Sequence, residues 1–230
     1  MKYRTKHIVE YAFLKLVAGT AKILPRRAAL ALGWLIAFTA FYVFRFRRKI
    51  VRKRIRQVLG ESMSNDQTDR IAWLSLRNVM LSAIDVIRAP ITKAEELEKM
   101  FSCRTSLEPV RKLAESGKGA IIALPHMGSW EASASATFNS GIPLFSFAAT
   151  QKNPLVDAYM NRLREGPGIE ALPRTQTSLK KILKKLKNGK VLAILPDVRM
   201  REKALTVPFL NGHANIGAGM AMFARHTNAP

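Results

Sequence analysis

The chain is 230 residues long, enough for one sizeable domain with an appendage and a real buried core. It holds 38 Lys+Arg against 16 Asp+Glu, a formal charge of +22, and fifteen of the basic residues fall within residues 1–60 beside a single acid, Glu10. That bias calls for an anionic partner (lipid head groups, nucleic acid or an acidic protein), while a lone cysteine, Cys103, excludes an intrachain disulfide framework and a multi-thiolate metal site.

From the amino terminus, Ile8–Leu24 is amphipathic, with Ile8, Val9, Tyr11, Phe13, Leu16 and Val17 interrupted by Lys15 and Lys22, and Pro25 ends it. Ala28–Phe44 then runs without a charge between Arg26-Arg27 and the cluster Arg45–Lys49. As a helix this run spans roughly 26 Å, the short end of what a bilayer core requires. Trp34 and Tyr42 lie toward its ends and only loosely suit an interfacial belt. A signal peptide fits poorly, because the run starts late and ends in basic residues rather than a cleavage site. It reads as a membrane-inserted or embedded helix, the alternative being a buried core helix. On the first reading the Arg45–Arg56 cluster lies over anionic lipid, where each basic residue contributes about 1 kcal/mol.

Asp66–Ile87 has the apolar spacing of a helix, capped by Asn65 or Asp66 and broken at Pro90, with a Glu/Lys-rich piece, Lys93–Met100, after it. From Lys118 strands and helices alternate: strand Ala120–Leu124, helix Trp130–Asn139, strand Leu144–Ala149, helix Pro154–Arg164 and strand Ile169–Leu172. Helix Thr177–Lys187, strands Val191–Leu195 and Leu205–Phe209, and helix Gly217–Arg225 complete the series. Such repeated units predict an α/β fold, a mostly parallel sheet flanked by helices. The expected organisation is a basic amino-terminal membrane anchor over 1–60, a helical lead-in over 61–117 and an α/β core over 118–230.

Within that core, His126-Met127-Gly128-Ser129-Trp130-Glu131 follows the strand Ala120–Leu124. The carboxyl ends of strands are where open α/β sheets place their chemistry. An imidazole there can take a proton near neutral pH, and a carboxylate can fix its tautomer or bind a substrate hydroxyl. Five residues along a helix rotate about 500°, so His126 and Glu131 converge only if His126 lies in the turn before the helix, a turn Gly128 permits. The bland alternative is a His capping the helix and a Glu favoured by its dipole.

Leu124–Glu131 resembles the HX4E motif of lipid A biosynthesis acyltransferases, the bacterial lauroyl/myristoyl acyltransferases. Further segments match in the same order: Ala149–Leu155, Asn161–Glu165, Leu186–Lys190 with Leu195-Pro196-Asp197, and Val207–Ala214. The basic, hydrophobic amino terminus also fits that family's membrane anchor. Two departures occur: Val198-Arg199 stands where the family usually has Gln after Pro-Asp, and Asn211 interrupts a Phe-Phe-Gly pattern. The family continues beyond Thr227–Pro230, which implies a carboxy-terminally truncated chain.

The resemblance implies that a hydroxyl of a lipid A precursor or related glycolipid attacks an acyl carrier protein thioester, without metal or cofactor, on the cytoplasmic side of the bacterial inner membrane. His126 is then the general base, Glu131 holds His126 or contacts substrate, and Arg164 binds an anion or stabilises the oxyanion. Asp197 organises Arg164 or orients the acceptor. Asn153, Arg162 and Arg174 are candidates for substrate contact, the alternative for Arg174 being a solvated loop residue. The lysines at 180, 181, 184, 185 and 187 form either a solvated helix face or a dock for the acidic carrier protein or the glycolipid's phosphates. His213 has no evident partner, and Trp130 reads as packing helix against sheet. Other readings are a glycerophospholipid or different glycolipid acceptor, disfavoured by Glu131 because those families use HX4D, and a non-catalytic basic membrane protein. A nucleic-acid-binding protein is not expected, since the chain has no groove-reading motif.

Overall fold

The computed structural model describes residues 3–100, 104–165, 168–198, 200 and 205–230, so Cys103 and Arg199 lie outside the described residues. Four helices come first: α1 (Thr5–Ile23), α2 (Arg26–Phe38), α3 (Arg48–Leu59) and α4 (Asn65–Arg88). Pro25 separates α1 from α2, as its missing N–H dictates. A π-helical turn, Thr39–Val43, prolongs α2, and Arg45 and Arg47, both with left-handed backbone, turn the chain into α3. The cap of α4 is Ser64, not Asn65 or Asp66: Ser64 Oγ accepts from the Gln67 N–H and Gln67 Oε1 accepts from the Ser64 N–H, a reciprocal capping box.

The amino-terminal helices are fastened to α4. Arg26 on α2 donates twice to Asp85, at 3.1 and 3.2 Å. Arg88 donates to the Ala21 and Leu24 carbonyls at the end of α1. Asp69 accepts from both Arg48 and Arg52 and so holds α3 to α4. Gly33 lets α2 come close, since a Cβ there would lie 2.7 Å from Ile84 Cγ1. One buried cluster accordingly joins Ala18 and Ala21 of α1, Ala29 of α2, Ile84 and Ile87 of α4, and Tyr159 and Leu163 farther along the chain. The opposite face of α2 leaves Trp34, Leu35 and Phe38 exposed. Arg26–Val43 is the one segment among the described residues long and apolar enough to cross a membrane.

After α5 (Ala94–Met100) and α6 (Arg104–Glu115), strand and helix alternate through β1 (Ala120–Ala123), α7 (Trp130–Asn139), β2 (Leu144–Ala148), α8 (Pro154–Glu165), β3 (Glu170–Pro173), α9 (Gln176–Lys187) and β4 (Val191–Ile194). The four strands form one parallel sheet in the order β1-β4-β2-β3. Val191 and Leu192 at its centre are fully buried, Leu192 clustered with Ile182 and Leu186 of α9 and Val191 with Ile142, against which Leu113 of α6 and Phe138 of α7 pack. This is the expected α/β architecture. Among the described residues the sheet has four strands, and β5 (Leu205–Phe209) is not one of them: it pairs antiparallel with β6 (Gly212–Ile216) in a separate hairpin. The final helix, α10 (Gly219–Thr227), packs Phe223 against Phe147, edge to face.

Candidate active site

Parallel pairing places the site. Ala123 of β1 is opposite Ile194 of β4, and each chain continues three residues past that pair, to His126 and to Asp197. Two adjacent strands leaving the sheet in step therefore deliver an imidazole and a carboxylate to the same spot, although 71 residues separate them. His126 Nδ1 lies 2.5 Å from Asp197 Oδ1, and the His126 backbone N–H donates to Asp197 Oδ2 at 2.7 Å.

Burial pushes the Asp197 carboxyl up, but the backbone N–H and imidazole of His126 outweigh it and hold the group below the usual carboxylate range. An ionised Asp197 only accepts, so Nδ1 carries the hydrogen and, in the neutral ring, Nε2 presents a lone pair. Nε2 has no partner among the described residues. The His126 ring is also held edge-on by Trp130, centroids 5.0 Å apart. Gly128, at φ +60°, makes the turn before α7, and Ser82 of α4 donates to its carbonyl at 2.8 Å.

Glu131 pairs elsewhere. Arg164, near the end of α8, donates from Nε to Glu131 Oε1 at 2.8 Å, and its Nη2 lies 2.7 Å from the same oxygen. Both side chains are largely buried, at 14% and 18% exposure. Of the alternatives expected for each acid, the pairings are exchanged: Asp197 holds His126 rather than Arg164, and Glu131 holds Arg164 rather than His126, while substrate contact by Glu131 and acceptor orientation by Asp197 stay expectations. The rotation argument supplies the reason, because His126 lies in the turn and Glu131 on the helix, facing α8.

His126, Glu131, Arg164 and Arg174 line one cavity of about 300 Å³, whose apolar wall includes Ala134, Phe147, Ile194, Met220 and Phe223. The ends of β1, β2, β3 and β4 all open on it, through His126, Gln151, Arg174 and Pro196. Arg174 is exposed, and among the described residues its guanidinium meets only the Met200 thioether, at 3.2 Å. Ser146, a polar residue in the apolar run of β2, also lines the cavity; its buried Oγ has no partner among the described residues. That interruption was the sequence signal for it.

Two candidates stand outside this cavity. Asn153 is buried, its Nδ2 donating to the His7 carbonyl at 3.0 Å and to Glu10 at 2.9 Å, while its Oδ1 accepts from the Leu155 N–H. It ties α1 to the start of α8 and is not among the residues lining the cavity. Arg162 is exposed on α8, near Tyr159 and away from the cavity lining. Of the lysine run, Lys180, Lys181, Lys184 and Lys187 are exposed, whereas Lys185 pairs with Glu170 and lies over the Phe145 ring.

The sequence model of the family described as bacterial lipid A biosynthesis acyltransferase matches residues 2–230, and the chain belongs to that family. Membership makes it an acyltransferase of a bacterial, membrane-associated family acting on lipid A-like substrates. None of the curated proteins matches it.

Proposed function

We propose that the protein transfers a fatty acyl chain from an acyl carrier protein thioester to a hydroxyl of a lipid A precursor at the bacterial inner membrane, with His126 as general base. The observation that carries this assignment is the contact of His126 Nδ1 with Asp197 Oδ1, which leaves Nε2 as an acceptor in a cavity with an apolar wall. Nε2 takes the proton of the acceptor hydroxyl as its oxygen attacks the thioester carbonyl. The C–S bond then breaks, and the imidazolium returns the proton to the departing thiolate. Asp197 stabilises the imidazolium and fixes its tautomer.

Arg164, oriented by Glu131, supplies positive charge where the carbonyl oxygen becomes negative. Among the described residues Arg174 is the cavity's uncommitted cation, suited to an anionic group on the donor arm. The exposed lysines of α9, which begins just after Arg174, suit an acidic carrier protein. At the membrane, the exposed face of α2 would enter lipid, with Arg45, Lys49 and Lys53 over anionic head groups; Arg48 and Arg52 are engaged by Asp69 and contribute less.

The test is acyl transfer from carrier thioester to a lipid A precursor by the membrane-bound protein and its His126→Ala variant. Loss of about 10²–10⁴-fold in kcat is expected. Equal rates would refute the base assignment.

A further inference from the structure

The His126–Asp197 pair stands in the wall between two cavities. His126 faces the smaller one, Asp197 lines a second of about 820 Å³, and Met200 lines both. The second lies between α3 and the β5–β6 hairpin, with Arg54 and Gln57 on the helix side and His213 and Asn215 on the hairpin side. Its two walls are joined: the Asn211 N–H donates to the Val58 carbonyl at 3.1 Å. Asn215 also holds Met200 in place, its Nδ2 donating to the Met200 carbonyl at 3.1 Å.

The lining of this cavity is unlike that of the first. Among the arginines of α3, Arg48 and Arg52 are neutralised by Asp69, and Arg56 is bound to the Met63 carbonyl and Asn65. Arg54 alone of the four lines the cavity, and it has no partner among the described residues. His213 likewise lines the cavity and is exposed. A guanidinium and an imidazole lining one cavity are the donors that a phosphate monoester or diester takes up. The ionised Asp197 in the same lining repels a phosphate and tolerates a hydroxyl beside it. A ligand carrying both groups therefore has one orientation: phosphate toward Arg54, hydroxyl-bearing part toward Asp197 and His126.

We infer that the cavity between α3 and the hairpin binds the phosphorylated sugar head of the acceptor, with Arg54 and His213 as the phosphate contacts. The assignment rests on the acyl-transfer reading and adds where the acceptor sits. It separates the substrates: the acyl chain lies in the apolar cavity, and the acceptor's head group lies in the second cavity while its hydroxyl reaches past Asp197 to His126 Nε2. A volume of about 820 Å³ is of the size that accommodates such a head group.

The experiment uses the full chain in detergent with acyl carrier protein thioester, a phosphorylated lipid A precursor and the same precursor after dephosphorylation. Arg54 is exposed and has no partner among the described residues, so Arg54→Ala keeps the fold. On the phosphorylated acceptor that variant should raise KM at least about tenfold, with a smaller effect on kcat. Arg54→Lys should recover most of the loss, and His213→Ala should raise KM in the same direction. On the dephosphorylated acceptor, wild type and Arg54→Ala should have matching KM values. Unchanged KM in Arg54→Ala, or an equal rise on both acceptors, overturns the assignment. So does a parallel loss of binding to phosphatidylglycerol vesicles, which would make the phosphate one of the bilayer. If the wild type acylates no glycolipid, the functional reading fails by itself. Equilibrium binding of the phosphorylated precursor then decides: weaker binding by Arg54→Ala supports the site, and equal binding overturns it.

Discussion

Arg164 and Glu131 form a largely buried ion pair between α8 and α7, two contacts of 2.7 and 2.8 Å to one carboxylate oxygen. Removing one member of such a pair leaves a charge in a poorly solvated place, which costs more than the pair itself contributes. Glu131→Ala should therefore lose about 2–3 kcal/mol of stability in denaturant melts, and the double variant Glu131→Ala, Arg164→Ala should regain a large part of it. Activity should not return with stability in the double variant, because the charge at the cavity wall is gone. A double variant less stable than either single one would count against the pairing.

Asp69 gives a test in pH. Hydrogen bonds from Arg52 and Arg48 hold its carboxyl well below the usual aspartate range. A carboxyl depressed on folding contributes stability that is complete above the ordinary aspartate range and is lost as pH falls through the folded-state value. Asp69→Asn should thus be less stable than wild type at pH 7, with the two acid-unfolding curves converging as pH falls. A stability gap that stays constant down to strongly acid pH would contradict the clamp between α3 and α4.

The sheet and its helices were legible because each strand is a short apolar run punctuated by Gly, Pro or a basic helix. The paired residues were not. Nothing in the spacing of His126 and Glu131 reveals that β4 lies beside β1, and only that adjacency, crossing over the order of the chain, brings Asp197 to the imidazole. Asn153 lies in a matching segment, yet its amide is engaged by α1; a motif position conveys that a residue matters without saying to what. The partner strand β6 escaped notice because Gly212–Ile216 mixes small and polar residues and lacks an apolar run. Hairpin pairing to β5, rather than its own propensity, makes it a strand.

The membrane reading turns on α2. One face packs on α4 through Gly33 and Ile84, while Leu35 on the other is 55% exposed beside Trp34 and Phe38. An exposed apolar patch of this kind marks a contact surface. Leu35→Glu should leave the helical circular dichroism unchanged and release a substantial part of the protein into carbonate or high-salt washes. Retention equal to wild type would show that this face does not meet lipid.

The most direct test of the account is the steady-state rate of Asp197→Asn in acyl transfer from carrier thioester to the lipid A precursor. An amide in that position keeps the size but loses the charge that fixes the His126 tautomer and stabilises its protonated form. The account predicts a fall in kcat of about 10²–10³-fold, with KM for the acceptor changed far less. A variant that turns over at the wild-type rate would show that His126 does not depend on Asp197, and would contradict the mechanism.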